Sequence, residues 1–223
     1  MFDRIAPRYD LLNRLLSAGI DVRWRRACVD LLGLSGPGRV VDLCTGTADL
    51  LVEALSRDAR LTGVGVDLSS EMLTRGRAKL ERRGLDRRGA LAAGDAERLP
   101  LRGGRFDGAL VSFGIRNVAD VAGAFREVSR VLRPGGRFVI VEFSMPRGVF
   151  GRLYRYYFRR ILPWVGGLVS GDRGAYSYLP ASVERFPAPA ELQALLEGAG
   201  FANVRLRALT GGVAYLYRAE KAA

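Results

Sequence analysis

Short apolar runs alternate with longer stretches of helical spacing along most of this chain. The first run, at residues 40–43, breaks into small residues and resumes at Leu50 with apolar positions on one helical face. A buried strand followed by a tight turn and a helix start is how a βα unit presents a loop to a ligand. We therefore predict a ligand-binding loop between Asp42 and Asp49.

The same alternation continues through five predicted strands. These strands are placed at residues 39–43, 61–67, 89–93, 106–113 and 138–143. Helical patterns at residues 69–85 and 119–132 follow the second and the fourth strand. Pro134 with Gly135 suits a type II turn before the fifth strand. Strands that alternate with helices predict the α/β class with a doubly wound, mainly parallel sheet.

Two more strands are predicted near the carboxyl terminus, at residues 204–209 and 213–217, after a helix at 189–199. Gly211 and Gly212 lie in a tight turn between the two strands, so these strands form a hairpin. We therefore expect a seven-stranded, Rossmann-like sheet that is closed by an antiparallel C-terminal hairpin. Such a sheet resembles that of class I methyltransferases rather than that of dehydrogenases.

The spacing of small residues in the loop leaves several ligands open. A dinucleotide fingerprint, G-x-G-x-x-G, would fall on Cys44, Gly46 and Asp49, and Asp49 would point a negative charge at a diphosphate. The alternative D-x-G-x-G-x-G pattern resembles the loop of S-adenosylmethionine-dependent methyltransferases and falls on Asp42, Cys44, Gly46 and Ala48. Only one of its glycines is present, and a strand, turn and helix without a ligand also remains open.

Acidic and polar residues lie at or just after the ends of the next strands. Asp67 comes about 20 residues after the loop glycine, where a carboxylate accepts the ribose hydroxyls of an adenosine ligand, unless it only caps the following helix. Asp95 follows the third strand and could accept from an adenine amine, or simply form a turn. Arg116 and Asn117 follow the fourth strand, at the end of a parallel sheet where ligands bind.

Two further segments complete a single predicted domain, 1–223. Residues 1–35 predict two helices that form an N-terminal cap, and residues 144–188 form an insert rich in aromatic residues and arginine. Within the insert, apolar residues recur at helical spacing opposite Arg152, Arg155 and Arg159; they are Phe150, Leu153, Tyr154, Tyr157, Phe158 and Ile161. This amphipathic helix either packs on the domain, or acts as a lid over an apolar substrate, or rests on an anionic membrane surface.

Composition restricts the chemistry further. The chain has no histidine and only two cysteines, Cys28 and Cys44, without C-x-x-C spacing, so we expect neither a metal site nor a disulfide framework. The net charge of +12 comes almost entirely from arginine, because Lys79 and Lys221 are the only lysines. A solvated basic surface and an anionic partner both fit this charge. Since no apolar run is long enough to span a membrane and no secretion signal is present, we expect a cytoplasmic protein.

Four stretches of the chain resemble the quinone-biosynthesis C-methyltransferases, the family of demethylmenaquinone and ubiquinone-precursor methylating enzymes. They are residues 1–13, residues 112–118, the turn at 132–136 with residues 142–144, and residues 176–187. The resemblance covers nearly the whole chain. It departs from the family pattern at Ala48, where a glycine is usual, and at Tyr217, where a histidine is common, which puts a catalytic role for that family histidine in doubt.

The resemblance implies S-adenosylmethionine (S-adenosyl-L-methionine) as the cofactor and C-methylation of a prenylated quinol as the reaction. Together with the strand-end acids, it gives the predicted cofactor-binding set: Asp42, Thr45, Gly46, Thr47, Asp67, Leu68, Asp95, Ala96, Ser112 and Phe113. Methylation of demethylmenaquinol to menaquinol is favoured, because the chain starts directly at the family's opening motif. The benzoquinol precursor of ubiquinone is the alternative acceptor.

Methyl transfer to a ring carbon needs an electron-rich ring, so a cation near the phenol oxygen would help by stabilising a phenolate. With no histidine available, Arg116 is the candidate for this role, assisted by Asn117 and by the phenol of Tyr9. Arg116 cannot readily act as a base, so water or Asp95 would take the proton. Alternatively, Arg116 forms a salt bridge to a carboxylate of the cap such as Asp10.

Two functions from other classes are alternatives to a quinone methyltransferase. A nicotinamide-dependent oxidoreductase would share the early βα units, but Asp49 and the terminal hairpin argue against it. An RNA methyltransferase would need base-stacking aromatic residues in a basic groove, whereas the aromatic residues here concentrate in the predicted lid. We therefore expect no nucleic-acid partner. Association with the inner face of the membrane and a homodimer both remain open.

Overall fold

The computed structural model describes residues 17, 19–146, 148–157 and 173–222, and the structural statements below concern these residues. The strands are β1 (Gly38–Leu43), β2 (Leu61–Asp67), β3 (Gly89–Ala93), β4 (Phe106–Ser112), β5 (Leu132–Phe143), β6 (Phe201–Leu209) and β7 (Ala214–Lys221). The helices are α1 (Ile20–Leu32), α2 (Asp49–Arg57), α3 (Ser70–Arg82), α4 (Val121–Val131), α5 (Gly148–Tyr156), α6 (Arg173–Arg185) and α7 (Pro189–Gly198). Short 3₁₀ turns occupy Ile115–Asn117 and Thr210–Gly212.

The strands form one sheet in the order β3-β2-β1-β4-β5-β7-β6. Neighbours from β3 to β5 are parallel, with Val41 of β1 opposite Val64 of β2 and Ala109 of β4. The last strand, β7, is inserted between β5 and β6 and is antiparallel to both. The predicted α/β class, the strand number and the antiparallel C-terminal strands are confirmed. The strand order reverses between β1 and β4, where α/β sheets bind ligands.

Helices cover both faces of the sheet. On one face, α1, α2 and α3 bury residues such as Trp24, Leu51 and Leu80. On the other face, α4 and α7 bury residues such as Phe125 and Leu192. The α1 helix is the second of the two helices predicted for the N-terminal cap, and the first lies outside the described residues.

The strand boundaries differ from the prediction at two turns. β5 begins at Leu132 rather than at residue 138, because Leu132 already pairs with Phe106. Arg137 then pairs with Gly108, so residues 133–136 bulge out of the ladder, and Gly135 has the positive φ of 71° that the predicted turn requires. The turn between β6 and β7 is a 3₁₀ turn that starts at Thr210, rather than a plain two-glycine turn.

The insert contains α5 and α6. Of the side chains that were predicted to form an apolar stripe on α5, Tyr154 packs against the core. Leu153 is exposed by 69%, so packing on the domain does not account for the whole stripe. The stripe residues Phe158 and Ile161 lie outside the described residues. None of the described helices combines the length and the apolar character that crossing a bilayer requires.

Candidate active site

A cavity of about 330 Å³ lies at the carboxyl ends of β1, β2 and β4. It is lined by Cys44, Gly46, Val66, Asp67, Leu68, Ser69, Met72, Gly94, Asp95, Ala96, Glu97, Ser112, Phe113, Gly114, Asn117, Val118 and Ala119. The structure thus brings together eight predicted site residues: Gly46, Asp67, Leu68, Asp95, Ala96, Ser112, Phe113 and Asn117. Asp42, Thr45, Thr47 and Arg116 lie outside this lining, and Tyr9 lies outside the described residues.

The loop after β1 has the backbone of a glycine-rich loop although it contains one glycine. Cys44, Gly46 and Ala48 have φ of 49°, 55° and 64°, all in the left-handed region. These are the three glycine positions of the D-x-G-x-G-x-G pattern. A side chain in this conformation costs on the order of 1 kcal/mol, and it is kept only where the surroundings enforce it. The positions of the D-x-G-x-G-x-G pattern thus share one backbone conformation, with small side chains where two of the glycines are absent.

Asp42 stabilises this loop through buried hydrogen bonds. Its side chain is buried, and Oδ2 accepts hydrogen bonds from Oγ1 of Thr45 at 2.5 Å and from the backbone N–H of Leu51 at 3.2 Å. A Cβ on Gly65 of β2 would lie 2.7 Å from Oγ1 of Thr45, so the glycine leaves room for the threonine. Burial raises the pKa of the Asp42 carboxyl from its usual 3.8 to about 7, against the lowering effect of these hydrogen bonds. Asp42 and Thr45 thus shape the loop and do not line the cavity.

Thr47 and Asp49 belong to a charged cluster at the start of α2. Nζ of Lys79 donates to Oγ1 of Thr47 at 2.9 Å and also to a carboxylate oxygen of Asp49. The other oxygen of Asp49 is 3.3 Å from the guanidinium of Arg25. The charge of Asp49 is therefore offset by Lys79 and by an arginine that also pairs with Asp21. This compensation weakens the argument that Asp49 would repel a diphosphate, and the sheet topology remains the stronger argument against a dinucleotide.

Asp67 lies in the cavity wall with both carboxylate oxygens engaged by the backbone. Oδ2 accepts from the N–H of Gly46 at 2.8 Å, and Oδ1 accepts from the N–H of Ser69 at 2.9 Å. Ser69 itself is the N-cap of α3, because its Oγ accepts from the N–H of Met72. The alternative that Asp67 only caps this helix is therefore wrong. Each oxygen retains acceptor capacity for one hydroxyl of a ribose.

The rest of the cavity also fits an adenosine. The side chain of Leu68 is exposed by 73% beside Asp67, and Met72 lies in the same wall, so a flat ring can cover apolar surface there. Asp95 forms the turn that was considered for it, since its Oδ1 accepts from the N–H of Glu97 at 2.9 Å. It lines the cavity as well, where a carboxylate can accept from an exocyclic amine.

Arg116 is held by a carboxylate that the sequence patterns did not reveal. Its Nη1 lies 2.9 Å from Oε1 of Glu142, and its backbone N–H donates to Oε2 of the same residue. Nη1 also donates to the carbonyl of Phe113, and Nε donates to Oγ of Ser182 at 3.3 Å. The two charged side chains are exposed by only 7% and 1%. Asp10, the partner considered for this arginine, lies outside the described residues.

The 3₁₀ turn that carries Arg116 also contacts α6 through Asn117. Oδ1 of Asn117 accepts from the hydroxyl of Tyr178 at 3.1 Å. Tyr178 and Ser182 therefore hold α6 against the turn after β4. Sequence reasoning missed these two residues and Glu142, although an acid inside the apolar strand β5 is itself a signal, because a buried charge requires a partner.

Three aromatic rings pack together beside the cavity, and we call Trp24, Phe113 and Phe143 the aromatic wall. The Phe113 and Phe143 ring centres are 4.5 Å apart, and Trp24 lies 5.8 Å and 6.1 Å from them. Phe113 has a positive φ of 55°, an unusual conformation for a bulky residue. In the same region, burial raises the pKa of the Cys44 thiol, and the charges of Asp67 and Asp42 add to this effect.

Comparison with known proteins identifies the family of this chain. The model of the ubiE/COQ5 methyltransferase family matches residues 1–221. The chain belongs to this family. The predictions of the family, of a methyltransferase and of S-adenosylmethionine as its cofactor are therefore confirmed.

The relatives of this methyltransferase match it over nearly their whole length. It is 50% identical to a protein of Thermus thermophilus named demethylmenaquinone methyltransferase, over 99% of this chain and 100% of that protein. It is also 50% identical to the ubiquinone/menaquinone biosynthesis C-methyltransferase of Syntrophotalea carbinolica, over 97% of this chain and 91% of that protein.

Solved structures with lower identity share the fold of the methyltransferase. The cyclase SpnF matches with a TM-score of 0.76 at 18% identity, over 100% of this chain and 95% of that one. The phosphoethanolamine N-methyltransferase 2 of Haemonchus contortus, in complex with S-adenosyl-L-methionine, matches with a TM-score of 0.69 at 15% identity. This match covers 89% of the present chain and 52% of the other.

The position of Asp67 predicts a specific loss of cofactor affinity. We expect Asp67→Asn to weaken the binding of S-adenosylhomocysteine by roughly 10- to 100-fold, because hydrogen bonds to a charged acceptor contribute about 1.5–3 kcal/mol. Isothermal titration calorimetry measures the change. Asp86→Asn, at an exposed acid outside the cavity, is the matched control and should bind as the wild type does. Equal affinity in both variants would contradict a ribose contact.

The buried Asp42 predicts a pH-dependent stability. Because its pKa is about 7 in the folded state and 3.8 in its usual state, the folded protein binds more protons between these values. Stability relative to Asp42→Asn should therefore fall as pH rises from about 4 to 7, by roughly 1.4 kcal/mol per pH unit, and level off above. Urea unfolding of both proteins at several pH values tests this, and parallel profiles would show that Asp42 titrates normally.

Proposed function

We propose that this methyltransferase transfers the methyl group of S-adenosylmethionine to a ring carbon of a prenylated quinol, converting demethylmenaquinol to menaquinol. The observation that carries the choice of acceptor is the 50% identity to a demethylmenaquinone methyltransferase over that protein's entire length. A ubiquinone-precursor benzoquinol is the second acceptor, because other relatives are named for both pathways. The cavity beside Asp67 supports the proposal by its fit to the adenosyl part of the donor.

The ribose, the adenine and the amino-acid end of the donor would each be held by a different group along the cavity. Asp67 accepts the ribose hydroxyls, and Asp95 accepts from the adenine amine while Leu68 covers the ring. The start of α2 follows the loop at Gly46, and the N–H groups of its first turn would meet the carboxylate of the amino-acid end. The bound donor supplies an electrophilic methyl group on a positively charged sulfur. The protein's task is then to align the acceptor and to exclude water.

The acceptor would meet Arg116 and Asn117 at the end of β4. In the part of the chain that the structure describes, Nη2 of Arg116 has no hydrogen-bond partner, whereas Nη1 and Nε are engaged. Nη2 is therefore the donor that remains for a phenolate oxygen. Glu142 fixes the guanidinium in place, and the amide of Asn117, held by Tyr178, adds a second polar contact. Tyr9 is proposed to assist from the N-terminal cap.

We also propose that the enzyme works in the cytoplasm at the inner face of the membrane. On α5, Val149, Leu153 and Tyr156 are exposed by 73%, 69% and 63%. Arg152 and Arg155 are exposed on the same helix. Apolar side chains beside arginine suit a bilayer with anionic head groups, where a prenylated substrate resides.

The reaction is tested with purified enzyme, S-adenosylmethionine that carries a deuterated methyl group, and chemically reduced demethylmenaquinone. Mass spectrometry should detect labelled menaquinone. The benzoquinol precursor and bulk RNA serve as alternative acceptors in parallel reactions. Label in the benzoquinol alone would indicate a function in ubiquinone synthesis instead. Label in RNA alone would contradict the proposal that the acceptor is a quinol.

Removing Arg116 should reduce turnover by roughly 100- to 1,000-fold, the usual effect of losing one donor to a developing oxyanion. Arg116→Gln alone also leaves Glu142 buried without its partner, which destabilises the fold by about 3–5 kcal/mol. The double variant Arg116→Gln, Glu142→Gln removes both charges and serves as the control for stability. We expect it to unfold at higher urea than the single variant but to remain slow in steady-state assays. Recovery of kcat in the double variant would show that Arg116 is only structural.

A further inference from the structure

A groove runs from the aromatic wall to the surface between the end of β5, α5 and α6. It consists of two adjoining cavities of about 360 Å³ and 650 Å³ that share Met145 and Arg155. The inner cavity is lined by Phe143, Ser144, Met145, Arg155, Val183, Glu184, Phe186, Pro187, Ala188 and Pro189. The outer cavity is lined by Met145, Pro146, Gly148, Val149, Gly151, Arg152 and Arg155. We call the two together the β5–α6 groove.

The inner end of this groove lies close to Arg116, the proposed catalytic residue. Phe143 lines the groove, and the guanidinium carbon of Arg116 lies 5.5 Å from the centre of its ring. The ring of Phe113, 4.5 Å from that of Phe143, lines the cofactor cavity. A ring held at Arg116 would therefore lie within one aromatic side chain of the groove.

The two cavities differ in their lining. Phe143, Met145, Val183 and Phe186 present apolar side chains to the inner cavity, and prolines extend this lining, while Ser144, Glu184 and Arg155 add polar groups to it. The charged side chains of the outer cavity are both arginines, Arg152 and Arg155, and both are exposed. The groove thus offers an apolar strip beside polar groups at its inner end and positive charge at its outer end.

We propose that the β5–α6 groove binds the isoprenoid tail of the acceptor, an inference that rests on the function proposed above. A long methyl-branched hydrocarbon chain needs apolar contact along a groove that is open at its far end, so that tails of different length fit without a clash. The outer end lies beside Val149, which is exposed by 73%, and beside the arginines that would face anionic head groups. The tail therefore leaves the enzyme at the side proposed to face the membrane.

Met145 is the residue that tests this binding site, because both cavities share it. The probe is farnesol, an isoprenoid alcohol without a quinol ring, titrated calorimetrically into the full-length enzyme. We expect saturable binding that Met145→Glu weakens at least about tenfold, since a carboxylate loses its hydration against the tail. Met145→Leu keeps an apolar side chain of similar size and should retain the affinity. Leu206→Glu, at an exposed apolar residue on β6, controls for the added charge.

A second measurement separates the failure of this inference from the failure of the proposed function. The ratio of kcat/KM for a prenylated demethylnaphthoquinol over that for its tail-less analogue should fall about tenfold in Met145→Glu and remain unchanged in Leu206→Glu. Methylation of both acceptors with the same ratio in all variants would overturn the tail site and leave the function intact. Farnesol binding that depends on Met145, without methylation of any quinol, would support the site and overturn the function. Absence of saturable farnesol binding to folded wild-type enzyme would also overturn the site.

Discussion

The buried ion pair between Arg116 and Glu142 joins the parts of this site. Glu142 is the penultimate residue of β5, Arg116 belongs to the turn after β4, and Ser182 on α6 accepts a hydrogen bond from the same guanidinium. A buried ion pair contributes little net stability, because desolvation of two charges offsets their attraction, but removing one partner is costly. The pair therefore determines geometry more than stability. It holds a cation 5.5 Å from the Phe143 ring of the aromatic wall and leaves Nη2 without a hydrogen-bond partner among the described residues.

The sequence predicted the sheet and the cofactor loop because both depend on local patterns. Apolar runs alternating with helices were sufficient for the strand number, and small residues at the spacing of Cys44, Gly46 and Ala48 located the loop, although its left-handed backbone was seen only in the structure. The bulge at residues 133–136 was partly predictable, since Gly135 marked its turn but not the early start of β5.

The acceptor side was less predictable, because it depends on contacts between distant segments. Glu142 and Ser182 lie 26 and 66 residues from Arg116, and Tyr178 lies 61 residues from Asn117. No local periodicity encodes such pairs. The surplus of arginine was also ambiguous in the sequence. In the structure some of it serves the backbone: Arg88 donates to the carbonyls of Leu55, Asp58 and Leu61, where a lysine could not offer a planar fork of donors.

Cys44 has a consequence for the chemical durability of the enzyme. Oxidised quinones are electrophiles that alkylate thiolates, and a cysteine in the wall of the cavity of a quinol-handling enzyme is exposed to that hazard. Only the thiolate is a strong nucleophile, and burial together with neighbouring carboxylates keeps the Cys44 pKa far above its usual range. Asp67, which lines the cavity, thus helps to keep the thiol protonated and unreactive. The small side chain that replaces a glycine in the loop is tolerated chemically as well as sterically.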